Sequence, residues 1–247
     1  MSEPAAALIA PPERAKRFGL RPPSLWTWWL ELRVVGEAAL IVPAAPWLCA
    51  QPRGSGEDIL VIPGYSTSDA ATAPLRWYLR RLGYRAHPWG LGVNRGVPEK
   101  DAERLIERMD ALPDRPLTVI GWSLGGVIAR LVARARPDKI SHVVTLGTPV
   151  EGGPKYTITA NFFSDERNVD LDSFEAHVHK INSEGLSVPL TVIYSQCDAI
   201  VSWQASVDRY NSHARHIPLR WSSHTGLVLS PFVWATLAQA LASADLN

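Results

Sequence analysis

The residues best suited to acyl-transfer chemistry lie where apolar runs of this chain end. Residues 117–134 read LTVIGWSLGGVIARLVAR and place Ser123 between Gly121 and Gly125, after a β-branched run and before a helical pattern. A serine on a sharp strand-to-helix turn is exposed for nucleophilic attack, and small residues two before and two after it let the strand and helix pass closely. The helix that follows would aim backbone N–H groups at a developing oxyanion. Ser123 is therefore predicted to be a nucleophile, and the alternative is a glycine-rich turn with an incidental serine.

The elements around this serine alternate between short apolar strands and helical patterns. Such alternation predicts βα units and a mostly parallel sheet, and strands that are apolar throughout are expected where helices cover both faces. The predicted elements are strong strands at 58–64, 116–121, 139–149 and 188–198, a weaker strand at 213–219, a short extended segment at 85–90 and a closing helix at 230–244. The fold class is therefore α/β.

In this context the turn at Ser123 resembles the nucleophile elbow of the α/β-hydrolase superfamily, and the resemblance runs from about Asp58 to the C-terminus. It implies the α/β-hydrolase fold and the chain order nucleophile, acid, histidine. Asp198 directly follows the apolar run LTVIYSQC, at the end of a strand, where parallel sheets place their ligands. His224, in WSSHTGL, follows the last predicted strand. A triad is therefore predicted in which Asp198 orients His224 and His224 takes the Ser123 proton.

Other acids and histidines compete for these roles. The competing acids lie in polar or loop stretches, where solvated side chains are expected, and are Asp165, Asp170, Asp172 and Asp208. His213 and His216 flank or lie within the weak strand, which favours packing or surface positions. His177 and His179 are two residues apart, but no carboxylate or thiol clearly completes a zinc site around them, so no metal is predicted.

The resemblance also implies an oxyanion hole made of two backbone N–H groups. One belongs to Leu124, directly after the nucleophile, and the other to Tyr65 in the loop PGYSTSD after the first strong strand. Gly64 lets the backbone turn there without a side chain in the way. Ser66 and Thr67 are an alternative source of contacts, through their hydroxyl groups.

Several phrases resemble the lipase-like and esterase-like branch of the superfamily, among them VVTLGTP, LGYRAHPWGLGVNRG and GWSLGGVIARLVARARP. Trp122 stands where many lipases carry histidine, and GWSLGG is instead similar to carboxylesterases that cleave the methyl ester of pimeloyl carrier protein. The resemblance implies a serine hydrolase that cleaves a carboxylic ester without a cofactor. An acyltransferase or thioesterase using the same triad is the alternative within enzymes, and a non-catalytic binding module is the alternative outside them.

An apolar acyl pocket is expected beside the nucleophile. Residues 150–188 are long for a connection, polar and without a clear strand, which predicts a small lid or cap insertion in the hydrolase domain at 53–247. The alternative is a static surface excursion that only plugs the sheet edge. The residues expected to line the pocket are Trp122, Trp89, Leu91, Phe162 and Phe163.

Residues 1–52 precede this domain, as a loosely packed arm and a Trp-rich segment. A helix is predicted over residues 24–42, with Trp28, Trp29 and Leu32 on one apolar face that packs on the core. The alternative is that an exposed Trp-rich face contacts a lipid surface, a partner subunit or the substrate entrance. Glu31 and its charged neighbours make the segment a poor membrane span.

The amino-acid composition indicates which binding partners and which cellular location to expect. The 247 residues carry a formal net charge of +1, which gives no electrostatic case for nucleic acid, and the expected partner is a small-molecule ester. Only two cysteines are present, Cys49 and Cys197, and the first ten residues lack the pattern of a secretory signal. A cytoplasmic location is therefore expected, and the oligomeric state is left open.

Overall fold

A single parallel sheet organises the molecule, as seen in a computed structural model that describes residues 9–109 and 115–244. Within these residues the sheet has six strands in the order β2-β1-β3-β4-β5-β6, and all neighbouring pairs are parallel. The strands are β1 (Asp58–Ile62), β2 (Arg85–Pro88), β3 (Leu117–Trp122), β4 (Ile140–Leu146), β5 (Leu190–Ser195) and β6 (Arg215–Leu219). The predicted α/β fold class is confirmed, and the short extended segment at 85–90 is the edge strand β2.

Helices connect the strands and cover both faces of the sheet. The described α-helices are α1 (Pro11–Phe18), α2 (Arg33–Ala39), α3 (Ala45–Cys49), α4 (Asp69–Arg81), α5 (Pro98–Met109), α6 (Leu124–Ala135), α7 (Ala160–Arg167), α8 (Leu171–Ser183), α9 (Trp203–Ser206), α10 (Gly226–Leu229) and α11 (Pro231–Ala244). Short 3₁₀ helices span Leu25–Leu32, Pro137–Lys139 and Gly153–Tyr156. No helix among the described residues has the length and apolarity needed to cross a bilayer.

Alternate residues of each strand enter two different cores. In β1, Ile59 and Val61 pack with α4 and α11, whereas Leu60 and Ile62 pack with α5 and α6 on the other face. All four side chains are fully buried. Burial of such a side chain contributes about 1.5–3 kcal/mol, so both faces favour apolar residues and the strand sequence shows no polar alternation.

Residues 9–20 of the N-terminal arm pack more closely on the domain than the sequence predicts. Arg14 on α1 is buried against Glu151, and its Nε lies 3.0 Å from a carboxylate oxygen of Glu151. Leu20 packs beside it with Tyr156 and Ala205. The expectation of a loosely packed arm over this part of the chain is therefore wrong, because a buried ion pair and a small apolar cluster hold it to the domain.

The Trp-rich segment is turned opposite to the predicted orientation. It is a 3₁₀ helix followed by α2 rather than one α-helix, and Trp28 and Trp29 are more than half exposed, at 56% and 58%. The prediction that these rings pack on the core is wrong. The polar side chains of the segment make the contacts with the domain instead, through Glu31, Arg33 and Glu37.

Residues 150–188 form the connection between β4 and β5. They contain the 3₁₀ turn Gly153–Tyr156 and the helices α7 and α8, and no strand lies among them. Gly153 would place a Cβ 3.1 Å from Phe174 and 3.2 Å from Val178, so the turn packs closely against α8. These two helices bring Phe163 and Phe174 together, with ring centroids 5.3 Å apart.

Candidate active site

Ser123 occupies a sharp turn between β3 and α6. Its backbone has φ 55° and ψ −122°, a conformation that non-glycine residues seldom adopt. The neighbouring glycines are required by close packing, because a Cβ at Gly121 would lie 2.4 Å from the Gly125 carbonyl oxygen and a Cβ at Gly125 would lie 2.4 Å from that of Ile62. The turn is held by the Ser123 N–H, which donates to the Leu146 carbonyl at 2.8 Å.

Asp198 and His224 form a close pair at the carboxyl end of the sheet. His224 Nδ1 lies 2.6 Å from Asp198 Oδ2, and both side chains are almost entirely buried. The other oxygen of Asp198 accepts the backbone N–H groups of Ile200 and Val201 at 2.9 and 2.8 Å. These bonds hold the carboxylate in place, and the carboxylate in turn holds Nδ1 of the imidazole. The second ring nitrogen, Nε2, takes no part in this contact. His224 and Ser123 line the same cavity.

The electrostatic surroundings of His224 favour its charged form. Burial alone would lower the pKa of the imidazole, but the charge of Asp198, the hydrogen bond to it and the charge of Glu31 act in the opposite direction. The net result is that the pKa of His224 is raised above its ordinary value. An imidazole in this setting is a stronger base, and its protonated form is stabilised after it takes a proton.

Tyr65 and Leu124 line the cavity together with Ser123. The loop that carries Tyr65 is tied down by Asn94, which is fully buried. The Asn94 side chain donates to the Pro63 carbonyl at 2.9 Å, and the Ser66 N–H donates to the Asn94 carbonyl at 2.8 Å. Thr67 Oγ1 donates to the Gly64 carbonyl at 2.8 Å, so its hydroxyl is used within the loop.

The cavity has a volume of about 290 Å³ and mainly apolar walls. Of the residues expected to line it, Trp122, Phe162 and Phe163 do so. Trp89 and Leu91 do not, and their assignment to the pocket is corrected. Trp89 is fully buried in the core on the face covered by α5 and α6, and its indole N–H donates to the Gly92 carbonyl at 2.9 Å. Leu91 is partly buried against the same core.

The competing acids and histidines, His177 apart, lie away from the cavity. Asp208 is buried in an ion pair with Arg130, at 2.5 Å, and Asp170 caps α8 by accepting the Ser173 N–H at 2.8 Å. Asp165 and Asp172 are exposed. His179 Nδ1 lies 3.0 Å from the Tyr210 hydroxyl. His177 lines the cavity, and its Nε2 lies 3.9 Å from Glu99 Oε1. Within the described part of the chain, no three His, Cys, Asp or Glu side chains are grouped so as to hold a metal ion.

Comparison with known proteins adds to this geometry. A family model described as the alpha/beta hydrolase fold matches residues 63–182. A putative lipase from Acinetobacter baumannii superimposes with a TM-score of 0.60 at 14% identity, over 80% of this chain and 87% of that chain. The thioesterase domain from the curacin biosynthetic pathway gives 0.53 at 14% identity, over 78% and 93%.

The chain has the α/β-hydrolase fold.

Relatives of this chain by sequence include esterases. It is 29% identical to the pimeloyl-[acyl-carrier protein] methyl ester esterase of Aliivibrio salmonicida over 101 residues, which are 40% of this chain and 38% of that protein. It is 29% identical to the corresponding esterase of Photobacterium profundum over 105 residues, or 41% of each protein. The match thus spans about two fifths of the length of these relatives.

Sequence reasoning missed two residues of the candidate site. Gly147 has φ 57°, and a Cβ there would lie 3.1 Å from Asp198 Oδ2 and 3.2 Å from His224 Nδ1, so the Asp–His pair packs directly on its backbone. Glu31 accepts backbone N–H groups on both loops that carry this pair. Glu31 was visible in the sequence as a charge within an apolar run, but no local pattern shows which distant loops such a charge contacts.

Proposed function

We propose that this protein is a serine hydrolase that cleaves a carboxylic ester through Ser123, His224 and Asp198. The observation that carries the proposal is the buried 2.6 Å contact between His224 Nδ1 and Asp198 Oδ2, beside a cavity that also contains Ser123 on its strained turn. The three residues stand in the chain order of the α/β-hydrolase triad. The likeness to esterases is further support.

In the proposed reaction Ser123 Oγ attacks the ester carbonyl while its proton passes to His224 Nε2. The carbonyl oxygen gains negative charge, which the backbone N–H groups of Tyr65 and Leu124 stabilise. Collapse of this intermediate breaks the bond to the alcohol oxygen, and the alcohol leaves with the proton from His224. Water then attacks the acyl-enzyme with His224 as base, releasing the acid and restoring Ser123.

The walls of the cavity support an ester with an apolar acyl group as substrate. Val127, Leu131, Val150 and Ile200 contribute aliphatic surface, and the aromatic rings of Phe162 and Phe163 come from α7. A cavity of about 290 Å³ with walls of this kind favours acyl chains over polar or charged groups. We propose that α7 and α8 act as a lid that shapes this pocket. We also propose that the protein is located in the cytoplasm.

The decisive experiment measures hydrolysis of p-nitrophenyl esters of increasing acyl length by the wild type and by Ser123→Ala. The variant is expected to lose activity by several orders of magnitude while remaining folded. Ser141→Ala, which changes an exposed serine on β4, is the matched control and should retain wild-type rates. A Ser123→Ala variant with near-normal turnover would remove Ser123 from the mechanism.

Two further measurements separate the alternatives that use the same fold. Product analysis in the presence of water and of added alcohols distinguishes hydrolysis from acyl transfer, because both reactions proceed through the same acyl-enzyme. A fluorophosphonate probe reports whether Ser123 is activated at all. Failure of the folded protein to react with the probe would favour a non-catalytic binding module.

We also propose that the Trp-rich segment contacts a lipid surface. Between Leu25 and Ala50 the exposed side chains are all uncharged and form the Trp-rich face, on which Trp26 is 87% exposed. The face offers indole N–H donors and no oxygen acceptor on its exposed side chains, which suits lipid headgroups because phosphate and ester oxygens are acceptors. A second copy of the same face would present donors to donors. Aromatic side chains in this arrangement are typical of proteins that bind at the membrane–water interface.

A further inference from the structure

The polar side chains of residues 31–37 all turn toward the two loops that carry Asp198 and His224. Arg33 donates from its guanidinium to the Cys197 carbonyl at 2.7 Å, directly before Asp198. Glu37 accepts the N–H of Ser223, directly before His224, at 2.8 Å. A Cβ at residue 226 would lie 2.1 Å from Glu37 Oε2, so this contact also requires the glycine present there.

Glu31 lies at the centre of these contacts and bridges the two loops. Its Oε1 accepts the N–H of Ala199 at 3.1 Å and the N–H of His224 at 3.0 Å, and its Oε2 accepts the N–H of Thr225 at 3.2 Å. One carboxylate therefore holds the residue after the acid and the backbone of the base itself. Hydrogen bonds to a charged acceptor are stronger than neutral ones, which makes this bridge a stiff one.

We propose that Glu31 is a positioning residue that fixes the loops of Asp198 and His224 relative to each other and keeps His224 aligned with Ser123. This inference rests on the proposed function, because it concerns the same triad. Glu31 lies outside the part of the chain that the family model matches, which begins at residue 63. Its carboxylate nevertheless accepts the backbone N–H of His224.

The charge of Glu31 gives this role a second measurable consequence. Asp198 and Glu31 are the acidic groups that act on His224, and both stabilise its protonated form. Replacing Glu31 by glutamine keeps a side chain of the same shape but removes the charge, and it places an NH₂ group among backbone N–H donors. Both changes act on His224 and leave the nucleophile turn untouched.

The test compares Glu31→Gln with Glu103→Gln, which changes an exposed glutamate on α5. Glu31→Gln is expected to lower kcat about tenfold to a hundredfold, because small misplacement of a catalytic base has effects of that size. KM should change little, and the acidic limb of the kcat–pH profile should move to lower pH. Glu103→Gln should match the wild type in all three. A folded Glu31→Gln protein with the kcat and pH profile of the wild type would overturn the proposal.

The imidazole resonances of His224, followed by NMR as pH is varied, give a readout that does not depend on turnover. Glu31→Gln should lower the titration midpoint of His224, and unchanged resonances and midpoint would overturn the inference even if the protein proves not to hydrolyse esters. If Glu31→Gln fails to fold, Glu31→Asp tests the bridge alone, because its shorter carboxylate retains the charge but cannot reach both loops. Its kcat should fall and the His224 resonances should shift, and a wild-type kcat with unchanged resonances would overturn the proposal. If the wild type does not hydrolyse esters but the titration midpoint of His224 is lower in Glu31→Gln, the proposed function is rejected and the positioning role of Glu31 stands.

Discussion

The indole N–H of Trp122 donates to the backbone carbonyl of His224 at 3.1 Å, so the residue before the candidate nucleophile holds the candidate base. The two rings also lie close together, with centroids 5.5 Å apart and planes tilted by 37°. The tryptophan in GWSLGG therefore has a structural role, which is to hold the backbone of His224. It connects the strand-to-helix turn to the loop that follows β6.

Trp122→Phe tests this connection, because it keeps an aromatic ring but removes the N–H donor together with one ring of the indole, a loss that the control variant shares. The buried His224 carbonyl would lose its partner, so the free energy of unfolding should fall by about 1–3 kcal/mol. The kcat for a p-nitrophenyl ester should also fall several-fold. Trp203→Phe is the control, since Trp203 stacks on Tyr194 and its ring makes no hydrogen bond among the described contacts. Equal stability of the two variants would contradict the prediction.

The pH dependence of turnover should reflect the raised pKa of His224. The imidazole must be neutral to accept the Ser123 proton, so kcat should rise with pH through an apparent pKa above about 6.5, the ordinary histidine value. Because the folded-state pKa of His224 is raised, its contribution to stability is present below the unfolded value and is lost as pH rises through the folded value. Asp198→Asn should move the kinetic limb to lower pH. A limb that stays in place would separate Asp198 from the base.

Gly147→Ala should harm the site more than its stability cost alone suggests. The new Cβ would approach Leu227 to 2.5 Å and press on Asp198 and His224. Gly92→Ala is a matched control, since Gly92 also has a positive φ but nothing within 4 Å of its Cβ position. Gly92→Ala should therefore show only the backbone strain of about 1–2 kcal/mol. Thermal melting and kcat are measured for both, and equal losses would mean that close packing at Gly147 is unimportant.

Replacing Phe162 and Phe163 together by alanine should change the preference for acyl chain length. Both rings line the cavity, yet Phe162 is 59% exposed, so the substitution should alter the pocket more than the melting temperature. Phe232→Ala, in a ring that is 58% exposed on α11, is the control. The ratio of kcat/KM for long and short p-nitrophenyl esters is the measurement. A double variant with the wild-type ratio would end the lid proposal.

Binding to phosphatidylcholine vesicles should depend on the exposed tryptophans of the N-terminal segment. Trp28→Ser with Trp29→Ser should abolish most cosedimentation with vesicles and leave hydrolysis of a short soluble ester unchanged. Trp77→Ser is the control, because Trp77 on α4 is equally exposed, at 56%, outside this face. Wild-type protein that stays in the supernatant and forms a dimer would reassign the face to a second copy.

The central sheet could be predicted from sequence because each strand is a short apolar run beside a turn signal. Ser123, Asp198 and His224 could be selected because their order and their positions after strands are local facts. The orientation of the Trp-rich segment could not be predicted, since periodicity shows which residues share a face but not which face meets the domain. Trp89 misled for a related reason, because a position after a strand does not reveal that its ring turns into the core.

The bridge made by Glu31 also has a consequence for the order in which the chain folds. Its three bonds join positions separated by 168 to 194 residues, so they close some of the longest loops in the chain. Contacts of such separation form late, because much of the chain must be organised before their loop-closure cost is met. On the ribosome Glu31 emerges long before its partners. We therefore expect the sheet around Ser123 to assemble before the loops of Asp198 and His224 dock onto Glu31.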